Sequence, residues 1–396
     1  MSLRILILHS RYRSYGGEDA VVEEEARALS AAGHEVHLEI DPGVLKTAPV
    51  DLARLALKTP YDRSREAWTR ELLRKTKADL IHAHNFFPSL TPAVHTAAAL
   101  EGVAVVQTLH NYRLICAAGH LTRDGKSCEK CVHGTNAWAI FHRCYHRSIV
   151  GSAAVAAMQW RANSLTWHRH VDRFIALTEL ARGQFIAAGL PADIICVKPN
   201  FVADHPAPAL DVGARQGFVY AGRLSPEKGV DVLLGAWRHL PGVPLTILGE
   251  GPERATLERS ASSDVCFLGH RTRDEVRRLV AGSRALVVPS VWNEGFPVVI
   301  AEAFATGTPV IASRIGALPQ IVIDGLNGAT FRAGDENHLA QTVTELNGSN
   351  DLRARLSAGA RQAYERYYSP STSIGMLGEI YEQAIVRRRS LRLPLR

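Results

Sequence analysis

The stretch from residue 290 to 314, SVWNEGFPVVIAEAFATGTPVIASR, limits the folds open to this chain more than any other. An apolar run, Leu286 to Val288, leads into it, and a second, Val310 and Ile311, follows Pro309 near its end. Between them lie a turn-rich segment and a helix of small residues, so the spacing predicts a strand, loop, helix, strand unit. Gly295 and Pro297 turn the backbone sharply, and the helix start behind them offers unpaired N–H groups and a partial positive charge, a seat for an anion. Glu294 stands in the loop and Glu302 inside the helix. Two acids beside an anion seat suit a ligand that carries both a phosphate and many hydroxyls, as a sugar nucleotide does.

The rest of the chain repeats this alternation. Residues 3–8 (LRILIL) read as a strand, 10–18 (SRYRSYGGE) as a loop with the pair Gly16 and Gly17, 20–32 as a helix stopped at Gly33, and 35–40 as the next strand. Residues 44–76 read as helical and basic, and 79–84 (DLIHAH) as a buried strand. The strand 103–109 delivers His110 and Asn111 at its carboxyl end, the edge where open α/β sheets bind ligands. Residues 149–170 read as a helix, and Thr178 as the cap of another. The Pro, Ala and Gly content of 203–217 (ADHPAPALDVGARQG) marks a linker, after which the pattern restarts. Strand 217–221 runs into GRLSPEKGVD, which sets Arg223 and Lys228 at the mouth of a helix; a guanidinium and an ammonium beside backbone N–H groups are what a diphosphate needs. Strands 244–248, 265–268 and 285–289 each end in a glycine, charged or polar loop.

With 396 residues, two domains are expected. The apolar run Ile5 to Leu8 is too short for a signal peptide, and no stretch reaches the roughly 18 apolar residues of a membrane span, so a cytoplasmic protein is expected. A formal net charge of +7 favours anionic company, with arginines recurring over 54–74 and again in the tail 387–396. Anionic lipid headgroups at the inner face of the membrane, an acidic acceptor, or plain solvation each account for such clusters. Nucleic acid is not expected, because basic and aromatic residues do not interleave in any known binding module.

Four of the six cysteines fall in one irregular segment, as Cys116, Cys128, Cys131 and Cys144. A reducing compartment disfavours disulfides, and the CxxC knuckle with two flanking thiols matches the ligand set of a structural zinc ion. Four reduced thiols in a loop are the other reading.

Taken together, GRLSPEKGVD, LGEGPER, FLGHR, NEGFPVVIAEAFATGTPVIAS and the N-terminal double glycine resemble glycosyltransferase family 4, over nearly the whole chain and most tightly from 217 to 330. The family hallmark, two glutamates separated by seven residues, is matched by Glu294 and Glu302. The resemblance implies an α/β GT-B fold: two Rossmann-like domains facing each other across a cleft, with a C-terminal helix crossing back to the first. Residues 1–203 then form the acceptor-side domain with the cysteine insert 116–144, residues 204–370 the nucleotide-sugar domain, and 371–396 the C-terminal helix and basic tail.

By the same resemblance, Arg223 and Lys228 hold the donor diphosphate, Gly222 opens their loop, Glu302 takes the ribose hydroxyls and Glu294 those of the donor sugar. Phe296, Val298 and Val299 supply backbone N–H groups, since Pro297 has none, and Arg271 borders the base. On the N-terminal side, Gly17 admits a phosphate or acceptor and His110 touches the transferred sugar. A retaining hexosyltransferase is implied, with UDP-sugar the first donor expected and GDP-mannose the second, and with a hydroxyl of a glycan, lipid-linked or small acceptor. Arg223 and Lys228 do the work of a catalytic metal, so none is expected. The loop YGGED departs from the usual glycine and apolar pattern, so Glu18 or Asp19 faces the acceptor, unless Asp19 caps the helix. A sugar-nucleotide epimerase of the same architecture and a non-catalytic sugar-nucleotide-binding protein are the competing readings.

Overall fold

A computed structural model describes residues 2–11, 16–43, 48–204 and 212–391. The tip of the double-glycine loop (12–15), the start of the basic helical stretch (44–47), the middle of the linker (205–211) and the end of the basic tail (392–396) lie outside the described residues. The chain forms two compact units, Met1–Arg123 with Cys128–Pro199 and Ser373–Arg396, and Asp124–Ser127 with Asn200–Thr372.

The first unit is built on a parallel six-stranded sheet in the order Glu35–Asp41, Arg4–Ser10, Leu80–Asn85, Ala104–Leu109, Arg173–Ala176, Ile195–Val197. Successive side chains of a strand point to opposite faces, and here both faces are covered. Leu6, Leu8, Ile81, Ala83 and Val105 belong to one core cluster, while Ile5, Ile7, Leu80, Ala104 and Val106 belong to another. The second cluster is closed by the helix Pro370–Ser390, whose Leu377, Ile380, Tyr381 and Ala384 recur at helical spacing and pack beside Ile5 and Ile7. Burying Leu377 and Ile380 stabilises by roughly 2 kcal/mol each.

Several expectations need correction. The basic stretch 44–76 is two helices, Pro49–Lys58 and Arg63–Thr76: Pro60 cannot donate the next helical hydrogen bond, and Asp62 caps the second helix by accepting from the Ser64 N–H at 2.9 Å. The α-helix expected over 149–170 stops at Arg161 and continues as a π-helical turn, Ala162–Thr166, which leads into the fully buried Trp167. Nor is the basic tail a free cationic patch as far as 391. Arg388 is 6% exposed and pairs with Asp172 at 3.0 Å, and Arg387 lies 3.4 Å from Asp193. Within 54–74, Arg65 pairs with Asp41, and Arg70 and Arg74 share Glu101.

The second unit carries a parallel sheet in the order Val265–Gly269, Leu245–Leu248, Phe218–Ala221, Ala285–Val288, Val310–Ser313, Gly328–Phe331. Its first strand in sequence, Phe218–Ala221, has later strands added on one side and then on the other. Ligands of such sheets sit beyond the carboxyl ends of the strands at this reversal.

Candidate functional site

In the second unit the reversal point collects the residues read from two separate motifs. Ala221 ends the first strand, and the 3-10 turn Pro226–Lys228 follows. Gly229 takes φ +65°, and a Cβ there would collide with the carbonyl of Pro289, so glycine lets this turn lie directly on the start of the Ser290–Glu294 loop. The Val291 N–H donates to the Glu227 carbonyl at 3.0 Å and fastens the two loops together. As a result, Lys228 Nζ donates to Glu294 Oε1 at 2.7 Å, and the Ser290 hydroxyl donates to the same oxygen at 2.7 Å. Glu294 is 8% exposed, while Arg223 is exposed, with no side-chain partner among the described residues. Gly249 packs against the Gly222 carbonyl so closely that a Cβ would clash, which draws the GEGPER loop to the same strand end. Two cations, one of them without a side-chain partner among the described residues, thus stand on the strand end where the loops meet.

The helix Val298–Ala305 starts directly behind Glu294, with Pro297 as its extended N-cap. Val298 and Val299 occupy its first turn, so their N–H groups face out of the helix end. Phe296 is buried and packs on Tyr368, with ring centroids 5.5 Å apart. It contributes backbone and packing, not an exposed side chain. Glu302, one turn in, accepts from Arg273 Nη2 at 3.0 Å. Arg271 donates to the carbonyl of His270 at 3.0 Å.

In the first unit, Gly17 opens the helix Gly17–Ala31 and is exposed, directly after the strand Arg4–Ser10 and its loop. Asp19 does not face an acceptor: it is 1% exposed, its carboxylate accepts from the Gly16 N–H at 2.8 Å, and its other oxygen lies 3.0 Å from His9 Nε2. The capping role therefore holds for Asp19. His110 follows the strand Ala104–Leu109, is partly buried, and its Nε2 lies 2.9 Å from Nδ1 of His84.

Sequence reasoning missed the group behind His110. Glu25 Oε1 lies 3.0 Å from His82 Nδ1 and 3.1 Å from His84 Nε2, and Lys198 Nζ lies 3.2 Å from Glu25 Oε2. His82 and His84 stand two apart on one buried strand, hence on one face, a signal available in DLIHAH. Nothing in the acidic run 23–25 singled out Glu25. Among the described residues, Glu25, His82 and His84 form a group whose ligand atoms lie within 4.8 Å of one another, as a metal would require. The Lys198 ammonium already supplies a positive charge there, so the group is balanced without an ion. Arg273 and Ser290 were missed as well; Arg273 could have been suspected from Thr272 and Glu275, whose capping box fixes where its helix begins.

The four cysteines of the insert are all partly buried. Cys116, Cys131 and Cys144 pack against the core cluster that includes Leu121, Val132 and Ala139. Burial pushes the Cys131 thiol up to about 11, and the neighbouring Cys116, Cys144 and Cys128 push in the same direction. The metal-spaced group among the described residues is that of Glu25, His82 and His84, and it does not include these cysteines.

The sequence matches the family description "Glycosyl transferases group 1" over residues 210–363 and "Glycosyltransferase Family 4" over residues 15–205. It is 33% identical over 369 residues to the D-inositol 3-phosphate glycosyltransferase of Mycolicibacterium smegmatis, an alignment spanning 84% of this chain and 78% of that one. It is 39% identical over 180 residues to the protein of the same name from Xylanimonas cellulosilytica, spanning 43% of each, so the match covers under half the length of that relative. Among solved structures, Anabaena HepE in complex with UDP aligns with TM-score 0.67 at 19% identity, covering 96% of this chain and all of that one, a likeness of fold.

Proposed function

The chain belongs to glycosyltransferase family 4, with two parallel-sheet α/β units of the GT-B type, and from that premise we propose that it is a retaining hexosyltransferase drawing on a nucleotide diphosphate sugar. The observation that carries the reading is the Lys228–Glu294 ion pair beside the exposed Arg223 at the strand reversal of the second unit.

In this reading the donor diphosphate lies against Arg223, Lys228 and the N–H groups of Val298 and Val299. The bond from the anomeric carbon to the diphosphate oxygen breaks, a bond to the acceptor oxygen forms on the same face, and the acceptor proton passes to the departing phosphate oxygen. Negative charge grows on the diphosphate as the sugar gains oxocarbenium character, so fixed cations lower the barrier. Glu294 and Glu302 are acceptors for sugar and ribose hydroxyls. Both are held by cations, Lys228 and Arg273, which suits binding better than nucleophilic attack. From the first unit, His110 is assigned to the transferred sugar and Gly17 to close approach of phosphate or acceptor. UDP-sugar is the first donor to test, with GDP-mannose second; the HepE structure that shares the fold holds UDP.

Two further assignments accompany this reading. The four cysteines are read as a structural zinc site, supported by their spacing and by the packing of Cys116, Cys131 and Cys144 on one core cluster. Peripheral contact with an anionic membrane is supported by the helix Pro49–Lys58, which buries no residue and exposes Val50, Leu52 and Leu57 near Arg54 and Lys58. No helix among the described residues is long and apolar enough to cross a membrane.

The test is incubation with a panel of sugar nucleotides, with and without hydroxyl acceptors. Transfer with slow hydrolysis in the absence of acceptor is expected. Rapid conversion of the donor sugar without any acceptor would establish an epimerase instead.

A further inference from the structure

Behind His110 the first unit buries a continuous set of polar side chains. His84 faces His110 through Nδ1 at 2.9 Å, with the two rings stacked at 22° and centroids 5.2 Å apart. Its other nitrogen, Nε2, lies 3.1 Å from Glu25 Oε1, close enough for charge to act but without hydrogen-bond alignment, and the same oxygen lies 3.0 Å from His82 Nδ1, which is hydrogen-bonded to the Tyr381 hydroxyl at 2.8 Å. Lys198 Nζ lies 3.2 Å from the second oxygen of Glu25. Glu25 is 1% exposed, His84 3% and Lys198 3%. Of these residues only His110 reaches solvent appreciably.

The protons in such a set are not free to choose their positions. Burial by itself would raise the Glu25 carboxyl, but the Lys198 ammonium and the facing imidazoles hold it well below the usual carboxylate range, so it is an anion. Burial pushes His84 down to about 4 and His110 well below its ordinary value, so both rings are neutral near pH 7 and each carries one N–H. An ionised carboxylate only accepts. A lone pair on His84 Nε2 would face that negative charge at 3.1 Å, so the hydrogen sits on Nε2, which leaves Nδ1 with a lone pair toward His110. His110 must then donate through Nε2–H, and its own Nδ1 is left bare.

We infer that Glu25, acting through His84, fixes His110 in the tautomer protonated on Nε2, so that His110 meets its substrate through Nδ1 as a hydrogen-bond acceptor for a sugar hydroxyl. Glu25 and His84 are positioning residues, and the inference rests on the assignment of His110 to the transferred sugar. It also sets a preference: a donor hydroxyl can donate to Nδ1, whereas fluorine at the same carbon cannot.

Two measurements on the whole chain test it separately from that assignment. Nitrogen NMR of ring-labelled histidine reports the tautomer directly, with the His110 signals assigned by their loss in His110→Ala. Wild type is expected to show a protonated Nε2 and a bare Nδ1 at His110. Glu25→Gln, whose amide can donate as well as accept, is expected to show a mixture of tautomers. His84→Asn, which keeps an acceptor near the Nδ1 position, is expected to retain the wild-type form, and it serves as the test if Glu25→Gln fails to fold. A His110 ring protonated on Nδ1 in wild type, a tautomer left unchanged in folded Glu25→Gln, or one shifted in folded His84→Asn, overturns the inference. The second measurement compares donors carrying a hydroxyl or fluorine at each sugar carbon. Glu25→Gln should lower kcat about five- to tenfold, leave KM within a factor of about two, and shrink the preference for one hydroxyl, the scale of a single neutral hydrogen bond. If the tautomer is as inferred but His110→Ala transfers sugar normally, the assignment of His110 is wrong and the relay stands.

Discussion

Lys228 Nζ and Glu294 Oε1 lie 2.7 Å apart, so the cation of one loop and the carboxylate of another, 66 residues away in sequence, form one ion pair. Ser290 donates to the same oxygen, and Ser313 holds the Ser290 carbonyl at 2.5 Å. The pair is therefore placed before any ligand arrives, as a charge-stabilising site requires.

The first prediction concerns that pair. Lys228→Ala should lower kcat/KM by about 100-fold or more, and Glu294→Gln should also lower it. Because each holds the other, the double variant should lose less than the sum of the singles, with a coupling of about 1–3 kcal/mol. Strictly additive losses in steady-state kinetics would show that the two residues act independently.

Arg273 gives the second. It holds one oxygen of Glu302, so Arg273→Ala should loosen the carboxylate assigned to the ribose and raise the donor KM roughly tenfold, with a smaller effect on kcat. Donors lacking the ribose 2′ or 3′ hydroxyl should bind wild type more weakly and the variant almost equally. Undiminished discrimination by the variant would remove Glu302 from the ribose.

Acid stability is the third. His95 is 1% exposed and hydrogen-bonded to Gln107, and burial holds it down to about 4 against an ordinary 6.5. The unfolded chain therefore binds this proton more readily than the folded one, and stability falls as pH drops from about 6.5 toward 4. At pH 5 this one histidine should cost roughly 2 kcal/mol relative to pH 7, and His84 acts in the same direction. Denaturant unfolding across this range should show the decline, and His95→Gln should make it shallower. An unchanged slope would mean that His95 is protonated inside the fold.

The fourth is the metal content of the cysteine segment. Purified protein should contain about one zinc per chain, and Cys131→Ser should lose it together with several degrees of thermal stability, since binding energy of a structural ion is folding energy. Metal-free protein of undiminished stability would leave the four thiols as packing groups.

The short, continuously apolar strands, from LRILIL to the run at 286–288, were legible as buried strands because parallel strands covered on both faces need no polar alternation. The placement of Arg223, Lys228 and Glu294 in loops beyond strand ends, and of Glu302 inside the helix that follows, was legible because local turn chemistry ties each of these segments to a strand end. Asp19 was legible only as two alternatives, since a first-turn aspartate reads the same whether it caps or faces solvent. Burial beside His9 decided it.

What the sequence determined by itself was local: which segments are strands, where the loops turn, and which charged groups those loops carry. The tertiary structure decided pairing. Lys228 meets Glu294 because Gly229 lets two loops touch, Arg388 reaches Asp172 because the last helix lies on the first sheet, and Glu25 faces His84 because a helix face turns toward a strand face. The physical reason is that turn and strand preferences act over a few neighbouring residues. The partner of a buried charge is set by whichever distant element covers it, and no local pattern records that choice.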